Sequence, residues 1–126
     1  MEFRATQAIY LQIAEYVSEK ILLGEWAIDD KIKSIRELAI ELEVNPNTVQ
    51  RTYDFLQQKG IIANKRGIGY FVENAAKTKI LEIRKEQFFR EDLPKFFQNI
   101  QHLNIDFKEI KQRFEQHKKA KNNENK

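Results

Sequence analysis

The stretch Ser34-Ile35-Arg36-Glu37-Leu38-Ala39-Ile40-Glu41-Leu42-Glu43-Val44-Asn45-Pro46-Asn47-Thr48-Val49-Gln50-Arg51 decides the reading of this chain. Ser34 followed by Glu37 is a capping-box pattern, in which each side chain satisfies the other residue's backbone N–H. Ile35, Leu38, Ala39 and Leu42 form an apolar stripe behind it. That predicts a helix of about two turns, stopping around Glu43-Val44. Asn45-Pro46 restarts the chain, because asparagine caps a helix start and proline at the first helical position gives up no needed hydrogen bond. The next helix is expected from Pro46 to about Lys59, with Val49, Tyr53 and Leu56 on one face and Gly60 closing it. Two helices joined by so short a break form a helix-turn-helix pattern. The first helix braces the second, whose N-terminal turn can enter a DNA major groove. Taken alone, the pair also suits any small packed α domain.

The residues that follow narrow the choice. Ile61 to Lys65 reads as a strand, Arg66-Gly67-Ile68-Gly69 as a turn, and Tyr70-Phe71-Val72 as a returning strand. A hairpin tipped by Lys65, Arg66 and two glycines directly after a helix-turn-helix is a wing. Its cations can meet phosphates or a minor groove, while glycine lets the backbone approach closely. Upstream, residues 6 to 24 carry Ile9, Ile13, Tyr16, Val17, Ile21 and Leu22 at helical spacing, with Thr6 as the expected N-cap and Gly24 at the end. Trp26 to Lys33 is expected to be a brief strand or an extended link.

At 126 residues the chain has room for one domain and an appendage. It contains no cysteine, which excludes disulfides, thiolate nucleophiles and cysteine-ligated zinc. His102 and His117 stand apart, with no companion at metal-ligand spacing, so neither an enzyme nor a metal or cofactor site is expected. Gly67-x-Gly69 is too short for a dinucleotide or phosphate-loop fingerprint. Apolar runs such as Ile21-Leu22-Leu23 fall far short of the ~20 residues of a membrane span, and Glu2 and Arg4 ahead of a helical pattern do not read as a signal peptide. A cytoplasmic location with no membrane partner is expected. The net charge of +3 is misleading in bulk: residues 1 to 72 carry 9 Lys and Arg against 10 Asp and Glu, and residues 73 to 126 carry 13 against 9. Between residues 31 and 72, however, seven cations face four carboxylates, so the question is whether those cations share a surface.

The order Ile9-Tyr10-x-Gln12-Ile13, Gly24, Ser34-x-Arg36-x-Leu38-Ala39, Val44-Asn45-Pro46-Asn47-Thr48-Val49, Tyr53, Leu56, Gly60-Ile61-Ile62 and Gly67-x-Gly69-x-Phe71-Val72 closely resembles the N-terminal domain of the GntR-family transcription regulators. Asn45 to Val49 further resembles the YtrA-like subfamily, whose members carry a short helical dimerisation region in place of a large ligand-binding domain. The resemblance implies a bacterial repressor that binds a palindromic double-stranded DNA operator as a homodimer. It differs from many members in having Ile32-Lys33 before Ser34, Ile35 before Arg36, and Pro46 where an arginine is common. The last change removes one common DNA contact.

Resemblance and geometry together assign Ser34, Arg36, Asn45, Asn47, Thr48, Gln50, Arg51, Lys65, Arg66 and Gly67 to DNA. Arg36 is expected to reach a phosphate or base edge, its alternative being an ion pair with Glu37 or Glu41. Gln50 and Asn47 are types that read adenine, Arg51 suits guanine or phosphate, and Thr48 suits a phosphate or a thymine methyl. Asn45 has capping as its first duty.

The fold class expected is mainly α with a small β wing: a winged helix-turn-helix over residues 1–73, a helical dimerisation region over 74–118, and a polar, disordered tail over 119–126. In the second region Ala76, Ile80, Ile83, Phe88, Phe89, Leu93, Phe96, Phe97, Ile100 and Leu103 recur on a helical stripe. Pro94 either kinks that helix or starts another, and Asp106 with Glu109 caps a last one. Six of the nine phenylalanines lie here, more aromatic surface than so few residues can bury among themselves. A second copy would cover it, through Ile83, Phe88, Phe89, Leu93, Phe96, Phe97 and Ile100; the alternative is packing back onto the chain's own winged helix. With no sizeable effector domain, any small-molecule effector would have to bind at the dimer junction or the tail. The rival function is a winged helix serving protein assembly or RNA binding without operator specificity.

Overall fold

The computed structural model describes residues 1–124; residues 125 and 126 of the expected polar tail lie outside the described residues. The chain forms two compact units, Met1–Ile83 and the residues from Arg84 onward.

The first unit opens with α1, Ile9–Leu22. Thr6 does not cap it. Ala8 precedes the helix without any side-chain cap, and Thr6 lies in a turn upstream. The cause is Gln12, which is buried. Its amide donates to the carbonyls of Arg4 and Gln7 at 2.7 and 2.8 Å, and its oxygen accepts from the Arg4 N–H at 2.7 Å. The chain ahead of α1 is therefore folded back and pinned, which holds Thr6 away from the first free N–H groups.

Helix α2, Ile35–Leu42, carries the complete capping box: Ser34 Oγ accepts from the Glu37 N–H at 3.1 Å, and the Glu37 carboxylate accepts from the Ser34 N–H at 3.2 Å. It ends on Glu43 in the left-handed region at φ 56°, with the Val44 N–H donating back to Ala39 at 3.0 Å. Helix α3, Pro46–Gln58, starts as expected, with Asn45 Oδ1 accepting from the Asn47 N–H at 2.8 Å. The wing is an antiparallel pair of β1, Ile62–Lys65, and β2, Gly69–Val72, with Ile62 opposite Val72 and Lys65 opposite Gly69. At its tip the Ile68 N–H donates to Lys65 at 2.9 Å across Gly67, whose φ of 79° is the positive value such a turn demands of its third residue. The link before α2 is extended along β2, with Ile28 bridging Val72, Lys31 bridging Phe71, and the Ile32 N–H donating to Tyr70 at 2.9 Å.

One core joins these elements: Ile13, Val17 and Ile21 of α1, Leu38 and Ala39 of α2, Val49, Tyr53 and Leu56 of α3, and Ile61, Ile62 and Val72 at the base of the wing. Helix α4, Ala76–Gln87, adds Ala76 and Ile80, both buried, and Ile83, half-buried against the same core. The head thus runs to Ile83 rather than ending at residue 73, and Ile83, expected on a dimer surface, packs onto the chain's own core.

The second unit contains the end of α4, a π-helical turn at Phe88–Asp92, α5 at Leu93–His102 and α6 at Phe107–Glu124. Pro94 opens no break. The Leu93 N–H reaches back five residues to the Phe88 carbonyl, and the wider turn absorbs the donor and the space that proline denies an α-helix. Asp106 Oδ1 accepts from the Lys108 N–H at 2.9 Å and so caps α6 as expected. Residues 119 to 124, expected to be disordered, continue that helix. Ion pairs Glu109–Arg113 and Glu115–Lys118 line its exposed side, and Lys and Ala are good helix formers late in a helix.

Candidate nucleic-acid interface

The helix-turn-helix frame is fixed from beneath. Tyr53 is fully buried, and its hydroxyl donates to the Lys33 carbonyl at 2.6 Å, tying α3 to the residue just ahead of the α2 cap. Burial pushes this phenol well above its ordinary ionisation range. Thr52, also buried, donates from its hydroxyl to the Tyr10 carbonyl at 2.8 Å and lies 3.2 Å from that of Thr48, tying α3 to the start of α1. With Val49, Thr52, Tyr53 and Leu56 turned inward, Asn47, Gln50, Arg51 and Asp54 are exposed, and Thr48 sits half-buried at the edge.

Around this face the sequence-predicted residues divide into held and free. Ser34 and Asn45 spend their side-chain oxygens on caps. Gln50 Nε2 donates to Asp54 Oδ1 at 2.9 Å. The Arg51 guanidinium lies over the Tyr10 ring, 3.9 Å from its centroid. The Lys65 ammonium lies over Phe71 at 4.3 Å. Arg36 stands exposed at the second position of α2, and its expected alternative partners are engaged elsewhere: Glu37 in the capping box and Glu41 with Lys33 at 2.5 Å. Among the described residues no ion pair or hydrogen bond holds Arg36 or Arg66. Asn47, Thr48 and Arg51 border one open depression together with Ala8, Ile9 and Tyr10.

Tyr10 is the member of this surface that its residue type did not announce. It also packs edge-on to Phe55, with ring centroids 6.2 Å apart. Nothing in the periodicity of α1 marks a tyrosine as a platform for a cation of α3. No group of His, Cys, Asp and Glu among the described residues could hold a metal ion, and no described helix is long and apolar enough to cross a membrane.

A buried helix pair with a polar outward face, followed by a wing tipped with Lys65 and Arg66, defines a winged helix-turn-helix DNA-binding domain. Residues 9–72 match the bacterial regulatory proteins of the gntR family. The chain is 37% identical over 109 residues to the helix-turn-helix transcriptional regulator YhcF of Bacillus subtilis, covering 86% of this chain and 88% of YhcF. It is 40% identical over 79 residues to the transcriptional repressor YtrA of the same organism, covering 63% of this chain and 61% of YtrA. Its fold superposes on a GntR-family regulator from Bacteroides thetaiotaomicron with a TM-score of 0.80 at 43% identity, covering 90% of this chain and 99% of the other. The DNA-binding domain of AraR bound to operator ORR3 matches 57% of this chain and 84% of its own length, with a TM-score of 0.52 at 29% identity. The chain belongs to the GntR family and is a transcription regulator with a winged-helix DNA-binding domain.

Proposed function

We propose that this regulator is a repressor that binds a palindromic operator as a homodimer, paired through the residues from Phe88 to Ile100. The observation that carries the pairing is the apolar surface of the second unit. Phe88, Phe89, Phe96, Phe97, Leu103, Phe107 and Phe114 are all exposed, and α5 buries no residue within the described chain. Such a face is stabilised by a second copy, and two-fold pairing of heads makes an inverted repeat the matching DNA. The likeness to the repressor YtrA supports the direction of regulation.

On each head the free guanidinium of Arg36 supplies a phosphate or base contact. Asn47, Thr48 and Gln50 read base edges, and Lys65, Arg66 and the Gly67 backbone meet phosphates beside the groove. Ser34 and Asn45 act through the helix starts they cap. Selecting binding sites from random DNA with the full chain tests the proposal. Enrichment of an inverted repeat supports it, and binding without any enriched sequence would favour assembly or RNA binding instead.

A further inference from the structure

The stack of Arg51 on Tyr10 bears on how the DNA surface works. Arg51 comes from the exposed face of α3, where an arginine free to extend would reach into the groove along with Asn47 and Gln50. Instead its guanidinium lies 3.9 Å from the centroid of a ring on α1. Tyr10 is itself held: its carbonyl accepts from Thr52, and its ring packs edge-on against Phe55. A half-buried residue held at its backbone by Thr52 and at its ring by Phe55 makes a firm seat. Stacking leaves all the in-plane N–H donors of the guanidinium free while fixing where they point. The stack draws the charge toward α1, at the side of the depression that Arg51 shares with Asn47, Thr48 and Ala8.

We infer that Tyr10 is a positioning residue that holds Arg51 as a phosphate clamp at the flank of the recognition helix, so that Arg51 adds affinity without sequence preference. This rests on the operator-binding reading and refines it: Asn47, Thr48 and Gln50 carry the base reading and Arg51 none. Two further consequences are physical. The ring keeps the long arginine side chain ordered before DNA arrives, which lowers the entropy lost on binding. The phenol hydroxyl takes no part, so phenylalanine serves equally well.

The test uses the full chain against its selected operator and against variants of that operator changed at each position. Arg51→Met is expected to weaken binding about tenfold on all of these sequences alike, and to lower the slope of log K against log salt by about 0.9 for each phosphate no longer neutralised. Tyr10→Leu is expected to weaken binding about two- to fivefold in the parent and to have no further effect in the Arg51→Met background. Tyr10→Phe should match the parent. Three results would overturn the inference: loss of preference at one operator position in Arg51→Met, equal losses from Tyr10→Leu with and without Arg51, or weak binding by a folded Tyr10→Phe. Failure of the parent to bind any selected duplex would overturn the operator reading itself, whereas a binding parent with unaffected variants would overturn only the clamp.

Discussion

The head and the residues beyond it solve opposite problems with similar materials. In the head, apolar side chains of α1, α2, α3 and the wing close on one another, so that Ile13, Val17, Leu38, Val49, Tyr53 and Leu56 are fully buried. In α5 and α6 side chains of the same kinds stay in water: Phe97 is 47% exposed and Phe107 61%. An apolar residue in the head is spent on holding a frame, whereas one in the second unit is available for binding. Substitutions in the two regions should therefore fail in different assays.

The largest effect is expected from Leu56→Ala, which opens a cavity in the head and should cost about 2–5 kcal/mol of stability in urea or thermal unfolding. Phe97→Glu should leave head unfolding unchanged yet give monomers by light scattering, with operator affinity reduced on the order of a hundredfold because the two heads no longer bind together. A Phe97→Glu protein that remains dimeric would end this division of labour. Arg36→Ala and Thr48→Ala, on the outer surface of the head, should each weaken operator binding by about 1–3 kcal/mol without shifting the melting temperature. Gel-shift titration beside a melting curve separates these from the core variant.

The smallest effect belongs to the α2 start, where Ser34→Ala should cost about 1 kcal/mol of stability. The Ser34 backbone N–H, then its hydroxyl, holds the Glu37 carboxyl below its ordinary range. A carboxyl with a depressed folded value adds stability above its unfolded range and loses it as pH falls. The gap between parent and Ser34→Ala should accordingly narrow under acid titration. Tyr53 carries the opposite sign: its raised folded value means stability is full below the unfolded phenol range and declines as pH climbs past it. Tyr53→Phe should flatten that alkaline decline.

Local chemistry made most of the head legible. Ser34 with Glu37, Asn45 with Pro46, and the glycine at the wing tip each specify a backbone event within four residues, and all three occur where their residues fall. What escaped the sequence depends on distant partners. Thr6 has the right chemistry for a cap, but Gln12 bends the chain before it can act. Pro94 follows the usual rule only if the helix stays α, and a π turn evades that condition. Ile83 lies on the same stripe as Phe88, but α4 docks its first turns on the head, so burial divides a stripe that periodicity leaves whole. Of the proposed DNA surface, Arg36 and the wing cations could be named from their place in the pattern. The pairing of Arg51 with Tyr10 could not, because it exists only once α1 and α3 are packed.

The bond from Tyr53 to the Lys33 carbonyl has a consequence for how such a regulator diversifies. It adds to the anchoring that Val49, Thr52 and Leu56 give the inner side of the recognition helix. Among the described residues, the side chains at positions 47, 50 and 54 then have no structural duties beyond the Gln50–Asp54 contact. On the base reading proposed above, a descendant chain can exchange those three side chains and acquire a new target while inheriting the old scaffold intact. Duplicated copies can thus part company in the genes they control long before they part in shape.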